Sequence, residues 1–108
     1  MENFEERWKR VELLLEERFG KVPDMEGTLF LIGINELGIE RKKFSKEQKQ
    51  DLMHIAVCTL LSLRGYYEFA GLDQDGWPHF NYLHPVEVKT IEAQEQMLKE
   101  CMIEYFQL

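Results

Sequence analysis

The sequence has little cysteine and no long apolar run, and each shortage excludes a class of protein. Two cysteines among 108 residues are too few for a disulfide framework and fit reduced thiols, so we expect a cytoplasmic protein. The longest apolar stretch, Leu29 to Ile34, is far shorter than the ~20 residues of a membrane span, so we expect no membrane contact. The first ten residues are charged and lack the apolar segment of a secretory signal.

Basic residues are outnumbered, with 13 Lys and Arg against 20 Asp and Glu and a net charge of −7. This balance argues against a nucleic-acid partner, because such proteins show a basic footprint. One cluster departs from it, and we call it the basic segment: Arg41, Lys42, Lys43, Lys46 and Lys49. We interpret it as a solvated loop and first helical turn, with contact to a phosphate, an acidic partner or nucleic acid as the alternative.

The sequence has no linker rich in glycine or proline, since its seven glycines and three prolines are scattered along the chain. It also has no internal repeat. An apolar content of 44% is enough to bury a core without a metal or disulfide. We therefore predict a single globular domain over residues 1–108 and no cofactor.

Four segments carry helix signals. Apolar residues at helical spacing predict a first helix over about 3–19, ended by Gly20. Asp24 and Gly38 bracket a second segment, in which residues 28–34 suit a helix or a buried strand; the caps favour a helix. The pattern Ser45 to Gln48 is a capping box that starts a third helix, which runs to about Gly65, and Thr90 starts a fourth that ends near Phe106.

Residues 66–83 change period and predict a β-hairpin. Two aromatic-rich runs are separated by Asp73-Gln74-Asp75-Gly76, which suits a type I turn followed by a left-handed glycine. The same residues do not form a calcium loop, because Gly71 and Tyr82 would stand where carboxylates are required. The fold class is thus mainly α, with about four helices and an aromatic β-hairpin between the third and fourth.

The hairpin holds six of the thirteen aromatic residues, and strand alternation places aromatic groups on both of its faces. A helical layer covers one face only, so the other face either meets a partner, most simply a second copy, or is covered by helix ends and the C-terminal tail. The candidates for this interface are Tyr67, Trp77, Phe80 and Tyr82.

Two weaker patterns suggest chemistry. His79 and His84, with Glu68 on the facing strand, are candidate metal ligands, although no recognised zinc spacing is present. Asp51, His54 and Cys58 line one stripe of the third helix, in the order of a carboxylate, an imidazole and a thiol. The simpler interpretation is a boundary histidine above a small core cysteine.

The stretch FSKEQKQDLMHIAVCTLLS followed by GYYEFAGLDQDGWPHF resembles a family of short bacterial proteins that have no assigned activity. The resemblance covers nearly the whole chain. It implies a free-standing domain and brings no ligand or catalytic residue with it.

These observations favour a small non-enzymatic interaction module that self-associates through the hairpin. The alternatives are a metal- or thiol-dependent enzyme that uses the histidines, or a weak nucleic-acid contact through the basic segment.

Overall fold

The computed structural model describes residues 2–38 and 43–108, and over these it confirms a mainly α fold. Four helices and one two-stranded antiparallel sheet make up this described part of the chain. In chain order they are α1 (Phe4–Phe19), α2 (Met25–Leu37), α3 (Lys46–Ser62), β1 (Tyr67–Leu72), β2 (Pro78–Tyr82) and α4 (Ile91–Tyr105). The hairpin lies between α3 and α4, as predicted.

Polar side chains start the helices. Asp24, Ser45 and Thr90 each accept a hydrogen bond from the backbone N–H three residues further on. The capping box is complete, because the Gln48 side chain in turn accepts from the Ser45 amide at 2.9 Å. Asn3 caps α1 in the same way. These bonds satisfy amides that the first helical turn leaves without a partner, so local chemistry fixes where each helix begins.

Residues 28–34 are helical, which decides between the two structures that the sequence allowed. α2 ends at Gly38, whose φ of 68° is the left-handed conformation that glycine adopts most readily. Gly33 explains why α2 and α3 approach closely, because a Cβ there would clash with the Leu52 backbone carbonyl. Gly33 therefore lies at the contact between α2 and α3.

The contacts within the chain divide it into two compact units. The first takes the residues up to Pro23 and those from Pro85 onward, so it contains α1 and α4. One cluster of buried side chains in this unit consists of Val11, Leu15 and Ile103. Four half-buried residues pack against that cluster: Phe4, Trp8, Phe106 and Leu108.

The second unit, Asp24–His84, contains α2, α3 and the hairpin. A cluster of Leu37, Leu52 and Ile55 lies in its core. Five partly buried residues pack against this cluster: Phe30, Ile34, Phe44, Trp77 and Phe80. That residues 1–108 behave as a single domain stays a prediction.

The strand register places the four aromatic residues of β1 and β2 on one face of the hairpin. Tyr67 lies opposite Tyr82, and Phe69 lies opposite Phe80, so these four side chains share one face. Their rings meet edge to face, with centroids 5.6 and 5.9 Å apart. The other two aromatic residues of the hairpin, Tyr66 and Trp77, lie just before β1 and β2, so the presence of aromatic groups on both faces stays a prediction.

Both aromatic pairs occupy positions where cross-strand side chains come closest. The Leu83 amide donates to the Tyr66 carbonyl at 3.0 Å, which makes the next pair along, Tyr67 and Tyr82, a non-hydrogen-bonded pair. The Phe69 and Phe80 pair, two residues further, is of the same kind. A bulge at residue 70 then shifts the register, so that Leu72 pairs with Pro78 on the same face as the aromatic residues.

Candidate functional site

α3 covers only half of the aromatic face of the hairpin. Pro78 is buried, and Phe80 and Tyr67 are half-buried. Phe80 packs against the core cluster of α2 and α3. The cross-strand neighbours of these three residues stay open, since Phe69 is 60%, Leu72 63% and Tyr82 60% exposed. We call these three exposed residues the hairpin surface.

The hairpin surface carries no charge. On the aromatic face the strand positions are held by Tyr, Phe, Leu and Pro alone. The charged strand residue Glu68 lies on the opposite face, where its carboxylate accepts a hydrogen bond from the Asn81 amide at 3.4 Å. An apolar face open on one side is the kind of surface that marks an interaction site.

The four predicted interface residues are divided between core and surface. Trp77 and Phe80 pack against the cluster of Leu37, Leu52 and Ile55. Tyr67 is half-buried against its neighbours, and Tyr82 is exposed. Phe69 and Leu72 were not among the predicted interface residues. Phe69 nevertheless follows Tyr67 by two residues, which is the spacing of side chains on one face of a strand.

A groove of about 510 Å³, open to solvent, lies between α3 and the hairpin. Its polar lining comes from α3, the turn and β2: Gln48, Asp51, His54, Cys58, Asp73, Asp75 and His79. Its apolar and aromatic lining comes from the same elements and from β1: Ile55, Tyr67, Trp77, Pro78 and Phe80. The sequence did not predict this groove, because it forms only when the hairpin packs on α3.

The predicted stripe on α3 partly converges in this groove. The Cys58 Sγ lies 3.5 Å from the His54 Nε2, and Asp51 lines the same wall. Cys58 is only 2% exposed, and burial raises the pKa of its thiol. A reactive cysteine needs a lowered pKa, so this environment favours the structural interpretation of Cys58 over the nucleophile.

Burial also raises the pKa of the Tyr67 hydroxyl, and the neighbouring Cys58 and Tyr82 add to this effect. Tyr67 therefore keeps its proton at neutral pH and remains a hydroxyl donor.

Asp73 organises the turn of the hairpin. One of its carboxylate oxygens accepts hydrogen bonds from the Asp75 and Trp77 amides at 2.9 and 3.0 Å. The other lies 2.9 Å from the His79 Nε2. The bond to His79, and then the bond to the Trp77 amide, lowers the pKa of the Asp73 carboxyl. Gly76 has a φ of 84°, as predicted for the residue after a type I turn.

The candidate metal ligands have other partners. His79 pairs with Asp73, Glu68 with Asn81, and the His84 ring lies 4.9 Å from the ring of Tyr66. Among residues 2–38 and 43–108, no group of three or more His, Cys, Asp or Glu side chains is placed to hold a metal ion. No disulfide joins Cys58 and Cys101, and both are buried.

Of the basic segment, Lys43, Lys46 and Lys49 are exposed, the last two on the first turn of α3. Arg41 and Lys42 lie outside the described residues. None of the three described lysines lines the groove.

No family model, curated protein or solved structure matches this chain. The resemblance to short bacterial proteins therefore stays a prediction. None of the helices in the described part of the chain has the length and apolar character to cross a membrane.

Proposed function

We propose that this protein is a self-associating interaction module, and that two copies pack their hairpin surfaces together. The single observation that carries the proposal is the half-covered aromatic face, on which Phe69, Leu72 and Tyr82 remain exposed beside residues already packed on α3. Large apolar side chains gathered on one rigid element gain free energy when a partner removes them from water.

The absence of charge on this face favours a second copy as the partner. A chain of net charge −7 repels its own copies, so a symmetric contact needs a surface without like charges. The strand positions of the aromatic face meet this condition, while Glu68 points to the other side.

The bulge in β1 favours face-to-face packing over extension of the sheet. A bulge interrupts the regular hydrogen-bonding edge and twists it, which is one way that proteins prevent strand addition. The regular part of β1 before the bulge is short, from Tyr67 to Phe69. Side-chain contacts are therefore expected to dominate the interface.

The double variant Phe69→Thr/Leu72→Thr tests this proposal. Threonine keeps the strand propensity of both positions and removes their large apolar groups. Sedimentation equilibrium over a range of concentrations is expected to show a dimer for the wild type and a monomer for this variant. Circular dichroism checks that the variant remains folded.

The matched control is Leu13→Thr, which removes a comparably exposed leucine from α1, outside the hairpin. It is expected to leave the dimer unchanged. A wild-type protein that stays monomeric at about 100 μM, well above the μM dissociation constants of transient protein contacts, would overturn the proposal. A variant that dimerises like the wild type would remove the hairpin surface from the interface.

A further inference from the structure

The groove between α3 and the hairpin has the size of a small-molecule site. Its volume of about 510 Å³ lies within the range of roughly 300–1,000 Å³ that such sites occupy. Its walls are a helix, two strands and a turn that Asp73 holds in place, so the cavity exists before any ligand enters. This observation is independent of the hairpin surface and does not rest on the proposed function.

Aromatic side chains form one part of the wall. Trp77 and Tyr67 line the groove, and Phe80 and Ile55 supply apolar surface beside them. Tryptophan and tyrosine rings attract organic cations through their negative faces, and Trp does so most strongly. The same rings also give contact area to an apolar stem.

The groove is lined by three carboxylates and by the imidazoles of His54 and His79. Asp51, Asp73 and Asp75 line it, and no Lys or Arg does among the described residues. A carboxylate or phosphate ligand would meet only repulsion from these three groups. A divalent metal ion is disfavoured by geometry, because no three ligating side chains converge in the described part of the chain.

We propose that the groove binds a small organic cation, with a primary ammonium group on a short apolar or aromatic stem. The ammonium group lies toward Asp51 and Asp75, and the stem packs against Trp77. Asp73 is already engaged by two amides and by His79, so it holds the wall in place and is the least available of the three carboxylates.

The probe pair 2-phenylethylamine and 2-phenylethanol tests this site, since the two molecules differ chiefly in charge. Titrations are followed by ¹H–¹⁵N NMR, with the Trp77 indole N–H as the reporter. The variant Trp8→Phe removes the other indole signal. Trp8 packs in the first unit and does not line the groove. We expect saturable shifts at Trp77 with a Kd on the order of 1 mM for the amine, and binding about tenfold weaker for the alcohol.

The double variant Asp51→Asn/Asp75→Asn keeps the shape of the groove and removes two negative charges. It is expected to weaken the amine about tenfold and to leave the alcohol unchanged. Glu47→Gln is the control, since it removes a charge from α3 at a position that does not line the groove. Equal binding of amine and alcohol, equal affinity in the double variant, or shifts confined to residues outside the groove would each overturn the proposal.

Discussion

Asp73 is the residue on which the conformation of the hairpin turn depends. Its carboxylate accepts hydrogen bonds from two amides and pairs with His79. These bonds favour the ionised carboxylate and so lower its pKa. An acid whose pKa is lowered on folding stabilises the folded state above its unfolded pKa. That stabilisation is lost as the pH falls below about 3.9, the value of an unperturbed Asp, and through the lower folded value.

We therefore expect Asp73→Asn to flatten the acid part of the stability profile. Between about pH 5 and pH 2 the wild-type free energy of unfolding falls more steeply than that of the variant, because only the wild type has this carboxyl to protonate. Urea unfolding at several pH values measures both slopes. Asp75→Asn, in the same turn, should keep the wild-type slope, and parallel profiles for wild type and Asp73→Asn would contradict this account.

The contact between α2 and α3 is decided at a single position without a side chain. Gly33 faces the Leu52 backbone so closely that a methyl group has no room, and Leu52 is itself fully buried. A carbonyl in the middle of a helix cannot move aside without disturbing the hydrogen bonds of α3. If a methyl group is added at Gly33, the two helices must therefore separate, and the cluster of Leu37, Leu52 and Ile55 loses contacts.

Gly33→Ala is accordingly expected to lower the free energy of unfolding by about 1–3 kcal/mol, the usual cost of overpacking. This direction opposes helix propensity, which alone would make alanine stabilising. Urea denaturation measures the change. Glu36→Ala, on an exposed position of the same helix, should stay within about 0.5 kcal/mol of the wild type; a stabilised Gly33→Ala variant would show that the helices are not in close contact.

Local signals predict the elements of this protein well. Asp24, Ser45 and Thr90 satisfy backbone amides within one turn, so the helix starts can be read from neighbouring residues alone. The turn at Gly76 is local in the same sense. Residues 28–34 were ambiguous because they are apolar on nearly every side, which removes the periodicity that separates a helix from a strand.

The candidate site could be predicted only in part, since it depends on contacts distant in sequence. Counting aromatic residues located the hairpin, and the spacing of Tyr67 and Phe69 contains the information that they share a face. Which half of that face α3 covers cannot be read from either strand. For the same reason the sequence suggested Trp77 and Phe80 for an interface, whereas they pack against the core cluster.

At the scale of the whole molecule, each compact unit contains one of the two tryptophans. Trp8 packs on the cluster of Val11, Leu15 and Ile103, and Trp77 packs on the cluster of α2 and α3. The first unit is made of the residues up to Pro23 and those from Pro85 onward, and units of this size are rarely stable alone. We therefore expect the chain to unfold as a single cooperative domain.

Two single-tryptophan variants test this expectation. Trp77→Phe leaves Trp8 to report on the first unit, and Trp8→Phe leaves Trp77 to report on the second. Each variant is unfolded in urea and followed by fluorescence and by far-UV circular dichroism. Within each variant the two signals should share one midpoint; a fluorescence transition displaced from the helical signal would show that the units unfold separately.

The pairing of α1 with α4 has a consequence for how the chain is made. α1 is synthesised first, but the helix whose Ile103 completes its core is synthesised after the whole of the second unit. Synthesis proceeds at roughly 5–20 residues per second, so the apolar face of α1 lacks its packing partner for several seconds. The second unit, by contrast, is formed by the continuous segment Asp24–His84. We therefore expect the first unit to complete its core only when α4 is available, although α1 is synthesised first.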